Sequence, residues 1–130
     1  RDHADVDSSR VAIMGFSRGG LLALQAAIAQ PTDVQAIILQ APAPAMNMLT
    51  RSLMEVGNIT APVRIQVAEN DTIMAEHVMI AEEVEQALMD AEKEVDLTVY
   101  PAFGTDGHSL FFEVRDPWWP DVLAFLTAQL

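Results

Sequence analysis

The strongest constraint on the fold is an alternation of short apolar runs with segments of helical character. Successive strands separated by helices are joined by right-handed crossovers, so this order predicts an α/β fold with a parallel sheet of about four strands flanked by helices. The predicted strands are Val11–Met14, Ala36–Leu39, Val63–Val67 and Val95–Tyr100. The predicted helices are Leu21–Gln30, Met46–Val56, Met74–Ala91 and a last one that opens at Asp116-Pro117 and runs to about Gln129. A length of 130 residues is normal for one domain, so we predict a single domain over residues 1–130.

In parallel sheets of this kind, ligands bind beyond the carboxyl ends of the strands. The loops at those ends begin at Gly15, Gln40, Ala68 and Pro101. Three of these four loops contain a side chain suited to catalysis. This shared placement, more than any one motif, predicts an active site at that end of the sheet.

The first of these loops contains Gly15-Phe-Ser-Arg-Gly19, which matches the G-x-S-x-G pattern of a nucleophile elbow. There a sharp turn from strand to helix raises the serine hydroxyl above the sheet. It also places the hydroxyl at a helix N-terminus, whose dipole favours the negative charge of acyl transfer. The glycines on either side remove β-carbons that would clash in the turn. We predict that Ser17 is the nucleophile; the alternative is a glycine-rich turn with an ordinary serine.

Two other loops contain a candidate acid and a candidate base. Asp71 lies four residues after Val67 and can hold an imidazole in the required tautomer, although a carboxylate here can also cap the following helix. Glu69 is the reserve candidate. His108 follows the fourth strand and can take up the serine proton and pass it to the leaving group. The chain order Ser17, Asp71, His108 is the order that accompanies this elbow in α/β-hydrolases.

The other two histidines are predicted to have no catalytic role, and for several methionines two interpretations are possible. His3 near the terminus and His77 in a charged helix are predicted to be solvated. His77 and Glu76 have no third ligand at helical spacing, so we predict no metal site. Five methionines fit either an adaptable acyl pocket or plain core filling. They are Met46, Met48, Met54, Met74 and Met79.

Composition excludes several classes of function. The net charge of −12 repels phosphate backbones, so no nucleic-acid partner is expected, and the acidic stretch from Glu76 to Asp96 is typical of a solvated helix face. The absence of cysteine excludes thiolate nucleophiles and disulfides. No apolar run approaches the ~18 residues that would span a membrane. The sequence begins with Arg1 and shows no signal peptide, so either its start was removed or it is a piece of a longer chain; no compartment is predicted.

These residues resemble the dienelactone hydrolase family of α/β-hydrolases. The matching stretches are Gly15–Gly20, Ala68–Asp71 and Tyr100–Phe112, and the resemblance extends over nearly the whole chain. It implies the C-terminal half of an α/β-hydrolase fold with a Ser-His-Asp triad. Dienelactone hydrolases proper use a cysteine nucleophile, so Ser17 points to ordinary carboxylic ester hydrolysis. Relatives have several further strands before the nucleophile strand, and we expect those N-terminal strands to be missing here.

The elbow also implies an oxyanion hole. The backbone N–H of Arg18 is expected to be one donor, while the Arg18 side chain faces solvent or a substrate carboxylate. Phe16 is a further candidate for oxyanion or substrate binding. The second donor of the family normally comes from a loop in the missing half.

The sequence therefore predicts a serine hydrolase that cleaves small carboxylic esters through an acyl-enzyme, with no cofactor or metal. The alternative is a catalytically weak or inactive hydrolase-like domain that acts as an association module. Without the N-terminal strands, Val11–Met14 would be an exposed apolar edge that invites pairing with another chain. We therefore expect a homodimer through that edge, unless the chain is a fragment whose partner is its own N-terminal half.

Overall fold

The computed structural model describes residues 3–130, so the predicted start of the domain at Arg1 lies outside the described residues. Its centre is a sheet of four parallel strands in the order β1-β2-β3-β4. The strands are β1 Ala12–Phe16, β2 Ala36–Gln40, β3 Val63–Ala68 and β4 Val95–Tyr100. The α-helices are α1 Arg18–Ala29, α2 Met48–Leu53, α3 His77–Asp90, α4 Leu110–Glu113 and α5 Trp119–Gln129, with 3-10 turns at Val56–Asn58 and Gly107–Ser109. The predicted fold class is confirmed.

The two central strands are the most deeply buried elements. Every residue of β2 is buried, as is every residue of β3 except Arg64. A strand that is covered on both faces needs apolar residues at consecutive positions, which is why these runs are continuous rather than alternating. β1 lies at one edge of the sheet, where Met14 is 44% exposed. This agrees with the edge expected near Val11–Met14, while the homodimer through it stays a prediction.

All four predicted helices start at a different residue in the structure. α2 begins at Met48 rather than Met46, and α3 begins at His77 rather than Met74. α1 begins at Arg18, three residues before the predicted Leu21, because the two glycines that suggested a turn lie inside its first turn. α5 begins at Trp119, with a proline in its first turn, rather than at Asp116-Pro117. Glycine and proline thus mark the neighbourhood of a helix start here and not its first residue.

A row of buried polar side chains crosses the sheet from β2 to α5. Gln40 Nε2 donates to Gln66 Oε1 at 2.8 Å, and Gln66 Nε2 donates to the Tyr100 hydroxyl at 2.8 Å. The Tyr100 hydroxyl donates in turn to the Asp121 carboxylate. Burial of the phenol, together with this carboxylate, raises the pKa of Tyr100 well above its usual range. The row joins three neighbouring elements of the sheet to α5.

The surface contains more methionine than the sequence analysis expected. The five methionines range from 45% to 93% exposed, so plain core filling is the wrong interpretation for them. They are Met46, Met48, Met54, Met74 and Met79. Across the described residues, none of the helices combines the length and the apolar character that crossing a bilayer would require.

Candidate active site

The turn between β1 and α1 holds Ser17 in a strained backbone conformation. Its φ of 56° and ψ of −116° lie in a region that residues with a side chain seldom adopt. Two backbone hydrogen bonds fix this conformation: Ser17 N donates to Gln40 O at 2.8 Å, and Ala43 N donates to Ser17 O at 2.9 Å. A strained residue of this kind costs about 1–3 kcal/mol and persists because its surroundings over-determine it. Here the surroundings are the end of β2 and the loop that follows it.

The glycines around Ser17 are not equivalent. A β-carbon added to Gly15 would lie 1.9 Å from the carbonyl oxygen of Gly19, so a side chain at Gly15 is incompatible with this turn. A β-carbon at Gly20 would lie 3.1 Å from Cα of Pro42, which is also a close approach. At Gly19 an added β-carbon would meet no heavy atom of residues 3–130 within 4 Å. The expectation that both flanking glycines relieve a clash is therefore correct for Gly15 and wrong for Gly19.

Three side chains from separate loops form one hydrogen-bonded row. The Ser17 hydroxyl oxygen lies 2.9 Å from His108 Nε2, and His108 Nδ1 lies 2.7 Å from Asp71 Oδ2. The Asp71 side chain is 1% exposed and that of His108 is 18% exposed. An ionised carboxylate only accepts hydrogen bonds, so Nδ1 carries the ring proton and Nε2 of the neutral ring accepts from the Ser17 hydroxyl. The structure thus brings together the three residues that the sequence analysis singled out.

Asn70 joins the loop of Asp71 to the loop of His108. Its side-chain oxygen accepts from Phe103 N at 2.9 Å, and its side-chain nitrogen donates to Phe103 O at 3.1 Å. Its own carbonyl accepts from Gly107 N at 3.3 Å. In the sequence, Asn70 stood out only as part of the stretch Ala68–Asp71 that matches the family. The sequence around Asn70 gives no signal for this role, because its partners Phe103 and Gly107 lie more than thirty residues further along the chain.

His77 is buried, and the prediction that it is solvated is wrong. It is 2% exposed and is the first residue of α3, where its backbone N–H donates to the carbonyl of Asp71 at 3.0 Å. Its Nδ1 lies 2.9 Å from Asp71 Oδ1, and its ring centroid is 4.6 Å from that of His108. The charged stretch that surrounds His77 in sequence concealed this position, although a signal was present: His77 has helical spacing with Ala81, Val84 and Leu88, the other buried residues of α3.

Asp71, His77 and His108 also form a set of potential metal ligands. Among the described residues, their ligand atoms lie within 4.8 Å of one another. The sequence analysis looked for a third ligand only at helical spacing, whereas the fold supplies it from distant loops. Two ligands on one tetrahedral zinc ion are separated by about 3.3 Å. The 2.7 Å between Asp71 Oδ2 and His108 Nδ1 is shorter, and it is the distance of a hydrogen bond.

A cavity of about 380 Å³ opens beside the Ser17 hydroxyl. Its lining includes Ser17, His108 and His77 on one side and the exposed Met74 and Arg18. Arg18 is the first residue of α1, and the first N–H groups of a helix have no partner inside the helix. An electron-rich oxygen bound next to Ser17 would therefore lie near the positive end of the helix dipole.

Phe16 and Glu69 occupy different positions relative to this cavity. The Phe16 ring packs against the base, with its centroid 4.6 Å from that of His108, and it also contacts Phe111 and Phe112. A contact with substrate or oxyanion stays a prediction for Phe16. Glu69, the reserve acid, is exposed and directs its backbone N–H to the carbonyl of Tyr100.

A larger cavity of about 500 Å³ lies beside α1 and α2, away from this row of side chains. Its hydroxyl group, Ser52, is a hydrogen-bond partner of Gln25 and of the Met48 carbonyl rather than of a base. Size alone would favour that cavity. The aligned serine, imidazole and carboxylate favour the smaller one as the candidate active site.

Comparisons with known proteins identify a family and several solved structures with a similar fold. Residues 1–121 match the family model described as Dienelactone hydrolase family. No curated protein matches the chain by sequence. Dipeptidyl peptidase 4 from Porphyromonas gingivalis superposes with a TM-score of 0.76 and 18% identity, over 96% of this chain and 20% of that one.

Two further solved structures share the fold. Acylaminoacyl peptidase from Pyrococcus horikoshii has a TM-score of 0.74 and 20% identity, over 96% of this chain and 25% of that one. Acetyl xylan esterase 1 from Thermoanaerobacterium sp. has a TM-score of 0.67 and 18% identity, over 98% of this chain and 48% of that one. The present chain thus spans less than half the length of each of these structures. At such identities the likeness shows the fold alone.

Proposed function

The chain belongs to the dienelactone hydrolase family, and from this premise we propose that it is a serine hydrolase that cleaves small carboxylic esters. The observation that carries the proposal is the continuous row from the Ser17 hydroxyl through His108 to Asp71, with separations of 2.9 and 2.7 Å. The order of these groups supports a nucleophile, a general base and an orienting carboxylate.

In the proposed acylation step, Ser17 Oγ attacks the ester carbonyl carbon while its proton passes to His108 Nε2. The imidazolium that forms is stabilised by Asp71, which keeps its negative charge and its hydrogen bond to Nδ1. Collapse of the tetrahedral intermediate breaks the bond to the leaving alcohol, which takes the proton from Nε2. The products of this step are the acyl-enzyme on Ser17 and the free alcohol.

In the proposed deacylation step, a water molecule repeats the sequence. It gives a proton to His108 Nε2 as its oxygen attacks the acyl carbon, and the proton returns to Ser17 as the carboxylic acid leaves. In both steps the negative oxygen forms next to the backbone N–H of Arg18 at the start of α1. That amide is the one oxyanion donor we propose from this chain, and loss of one such donor typically costs about 10²–10³ in turnover.

The size of the cavity supports a small substrate. A volume of about 380 Å³ is near the lower end of the roughly 300–1,000 Å³ found for small-molecule sites. The structures that share the fold include an esterase and two peptidases, so the leaving group needs a direct test. We propose an ester, since an ester carbonyl is less stabilised by resonance than an amide carbonyl and its attack needs less assistance from the oxyanion hole.

A fluorophosphonate probe tests the nucleophile, because it phosphonylates an activated serine and leaves ordinary hydroxyls unmodified. We expect one equivalent of label on the wild-type protein, measured by intact mass, and none on Ser17→Ala. Ser109→Ala is the matched control, because Ser109 lies beside His108 in sequence and has no place in the mechanism. A panel of p-nitrophenyl esters, thioesters and peptide amides then separates the leaving groups. An unlabelled, well-folded wild-type protein would overturn the proposal.

A second candidate function is an association module without activity, and the exposed edge of the sheet favours it. β1 is an edge strand, and Met14 on it is 44% exposed. Such an edge invites pairing with a second copy of the chain or with a further segment of the fold. Light scattering across a dilution series distinguishes a dimer from a compact monomer. This candidate gains support only if the probe does not label Ser17.

A further inference from the structure

The Asp71 carboxylate has an imidazole beside each of its two oxygens. His108 Nδ1 lies 2.7 Å from Oδ2, and His77 Nδ1 lies 2.9 Å from Oδ1. Asp71 is 1% exposed and His77 is 2% exposed, so water does not replace either contact. The proposed mechanism uses the first of these imidazoles and leaves the second without a role.

The position of the His77 proton follows from its neighbours. Nδ1 of His77 lies 3.2 Å from the carbonyl oxygen of Ala75 as well as 2.9 Å from Asp71 Oδ1. Both oxygens are acceptors, so Nδ1 carries the proton and a single N–H lies between them. The angles required of a hydrogen bond are satisfied between His77 Nδ1 and the Ala75 carbonyl oxygen. Asp71 Oδ1 has no donor that satisfies them among residues 3–130. The same N–H nevertheless lies close to Oδ1, at an Nδ1 to Oδ1 distance of 2.9 Å, where the negative charge of the carboxylate attracts it more strongly than a neutral carbonyl does.

We propose that His77 is a positioning residue that holds the Asp71 carboxylate in orientation for His108. A buried carboxylate that has a donor on only one oxygen can rotate about its Cβ–Cγ bond and weaken the contact on the other. The Nδ1–H of His77 restrains Oδ1, so Oδ2 stays directed at His108 Nδ1. The inference deepens the proposed function and rests on it.

A second contact supports this role. The His77 ring lies against the ring of His108, with centroids 4.6 Å apart and planes inclined by 33°. His77 therefore touches both the orienting carboxylate and the base that this carboxylate orients. Its place at the start of α3 ties both groups to a helix packed against β3 and β4. Sites carried by regular elements are held more closely than sites carried by loops alone.

Two variants of similar shape separate hydrogen bonding from packing. In His77→Asn the side-chain amide nitrogen lies as many bonds from the backbone as Nδ1 and can donate to Oδ1. In His77→Leu a methyl group takes that place. We expect kcat for a p-nitrophenyl ester to fall about 10- to 100-fold in His77→Leu, because the base is misplaced. We expect His77→Asn to recover most of the loss, with KM unchanged within about twofold in both variants.

A double mutant tests whether His77 acts through Asp71. In an Asp71→Asn background, His77→Leu should lower kcat no further, because the carboxylate it positions is gone. Proton NMR gives a readout without substrate: the downfield resonance of the His108 Nδ1–H should persist in His77→Asn and be lost in His77→Leu. If His77→Leu does not fold, His77→Gln replaces it, since its amide reaches past the position of Nδ1 and should not restore kcat.

The outcomes distinguish this inference from the proposed function. If activity depends on Ser17 but His77→Leu keeps wild-type kcat, the proposed function stands and the positioning role is wrong. Equal losses in folded His77→Asn and His77→Leu would also overturn it, since packing alone would then explain both. If the wild-type protein has no Ser17-dependent activity, the proposed function fails. The downfield resonance then decides whether His77 holds the Asp71–His108 contact.

Discussion

Gly15→Ala tests how the turn around Ser17 is built. A β-carbon at Gly15 would lie 1.9 Å from the carbonyl oxygen of Gly19, 2.3 Å from its carbonyl carbon and 2.8 Å from Gly20 N. All three atoms are backbone atoms of α1, so no side-chain rotation can relieve the contact. Ordinary contact needs about 3.5 Å. The first turn of α1 must therefore move by about 1.5 Å relative to β1.

The expected loss in the free energy of unfolding follows from this displacement. Forcing an extra methyl group into a packed site costs about 1–3 kcal/mol, and an obstacle made of backbone places Gly15→Ala at the upper end, near 3 kcal/mol. A domain of this size has roughly 5–15 kcal/mol of stability, so we expect the variant to fold with a melting temperature lower by about 10 °C. A shift of more than 1 Å at Ser17 should also slow fluorophosphonate labelling about 100-fold.

Gly19→Ala is the matched control, because it adds the same methyl group four residues away. At Gly19 the added β-carbon would meet no heavy atom of residues 3–130 within 4 Å. Replacing glycine by alanine inside a helix gains about 0.5–1 kcal/mol, so this variant should melt at or above the wild-type temperature. Circular dichroism and calorimetry measure both variants. Melting of Gly15→Ala within 2–3 °C of wild type, or about the same loss in both variants, would refute the reasoning.

Two further predictions concern Gly107, beside the base, and Tyr100, at the end of β4. Gly107→Ala would place a β-carbon 2.3 Å from Asn70 Oδ1 and 2.8 Å from Asp71 N. It should therefore separate the base from the acid and lower kcat for an ester about 10- to 100-fold. A variant with wild-type kcat would contradict this. Tyr100 is the one tyrosine of the chain, and its pKa is raised by burial and by Asp121. Because the pKa of Tyr100 is higher in the folded protein than in the unfolded one, the neutral phenol contributes stability to the fold. This contribution is fully present below the pKa of about 10 of an unfolded tyrosine and is lost as the pH rises above it. Ultraviolet titration should therefore show tyrosinate only as the protein unfolds; ionisation near pH 10 in folded protein would contradict the burial argument.

The strands and the positions of the site residues after them were predictable because each depends on a local pattern. A strand buried on both faces is a continuous apolar run, and β2 is such a run. The end of each strand then fixes where the next loop begins. Ser17, Asp71 and His108 follow three different strands, and a parallel sheet brings those ends to one side. Their placement therefore followed from topology, without any knowledge of side-chain contacts.

The features that the sequence did not reveal depend on contacts between distant segments. Gly19 and Gly20 are typical of a turn, yet both lie in α1, where Gly20 allows a close approach to Pro42. His77 lies in an acidic stretch typical of a solvated helix, yet tertiary packing turns it against Asp71. Periodicity identifies an element and its exposed face. It could have placed His77 on the buried face, since this residue shares the helical spacing of the other buried residues of α3. It does not identify the loop from another part of the chain that such a residue contacts.

The geometry of the candidate site depends on the pairing of β2 with β3 more than on any single loop. Ser17 is bonded through its backbone to Gln40 at the end of β2, so the nucleophile moves with that strand. Asp71 follows β3, and Asn70 ties its loop to the loop of His108, so acid and base move with β3 and β4. The hydrogen bond from the Ser17 hydroxyl to His108 Nε2 therefore joins a group anchored on β2 to a group anchored on β3 and β4. Because both are anchored in the parallel register Leu39↔Ile65 and Gln40↔Gln66, a disturbance of that register would separate nucleophile from base while leaving each loop intact.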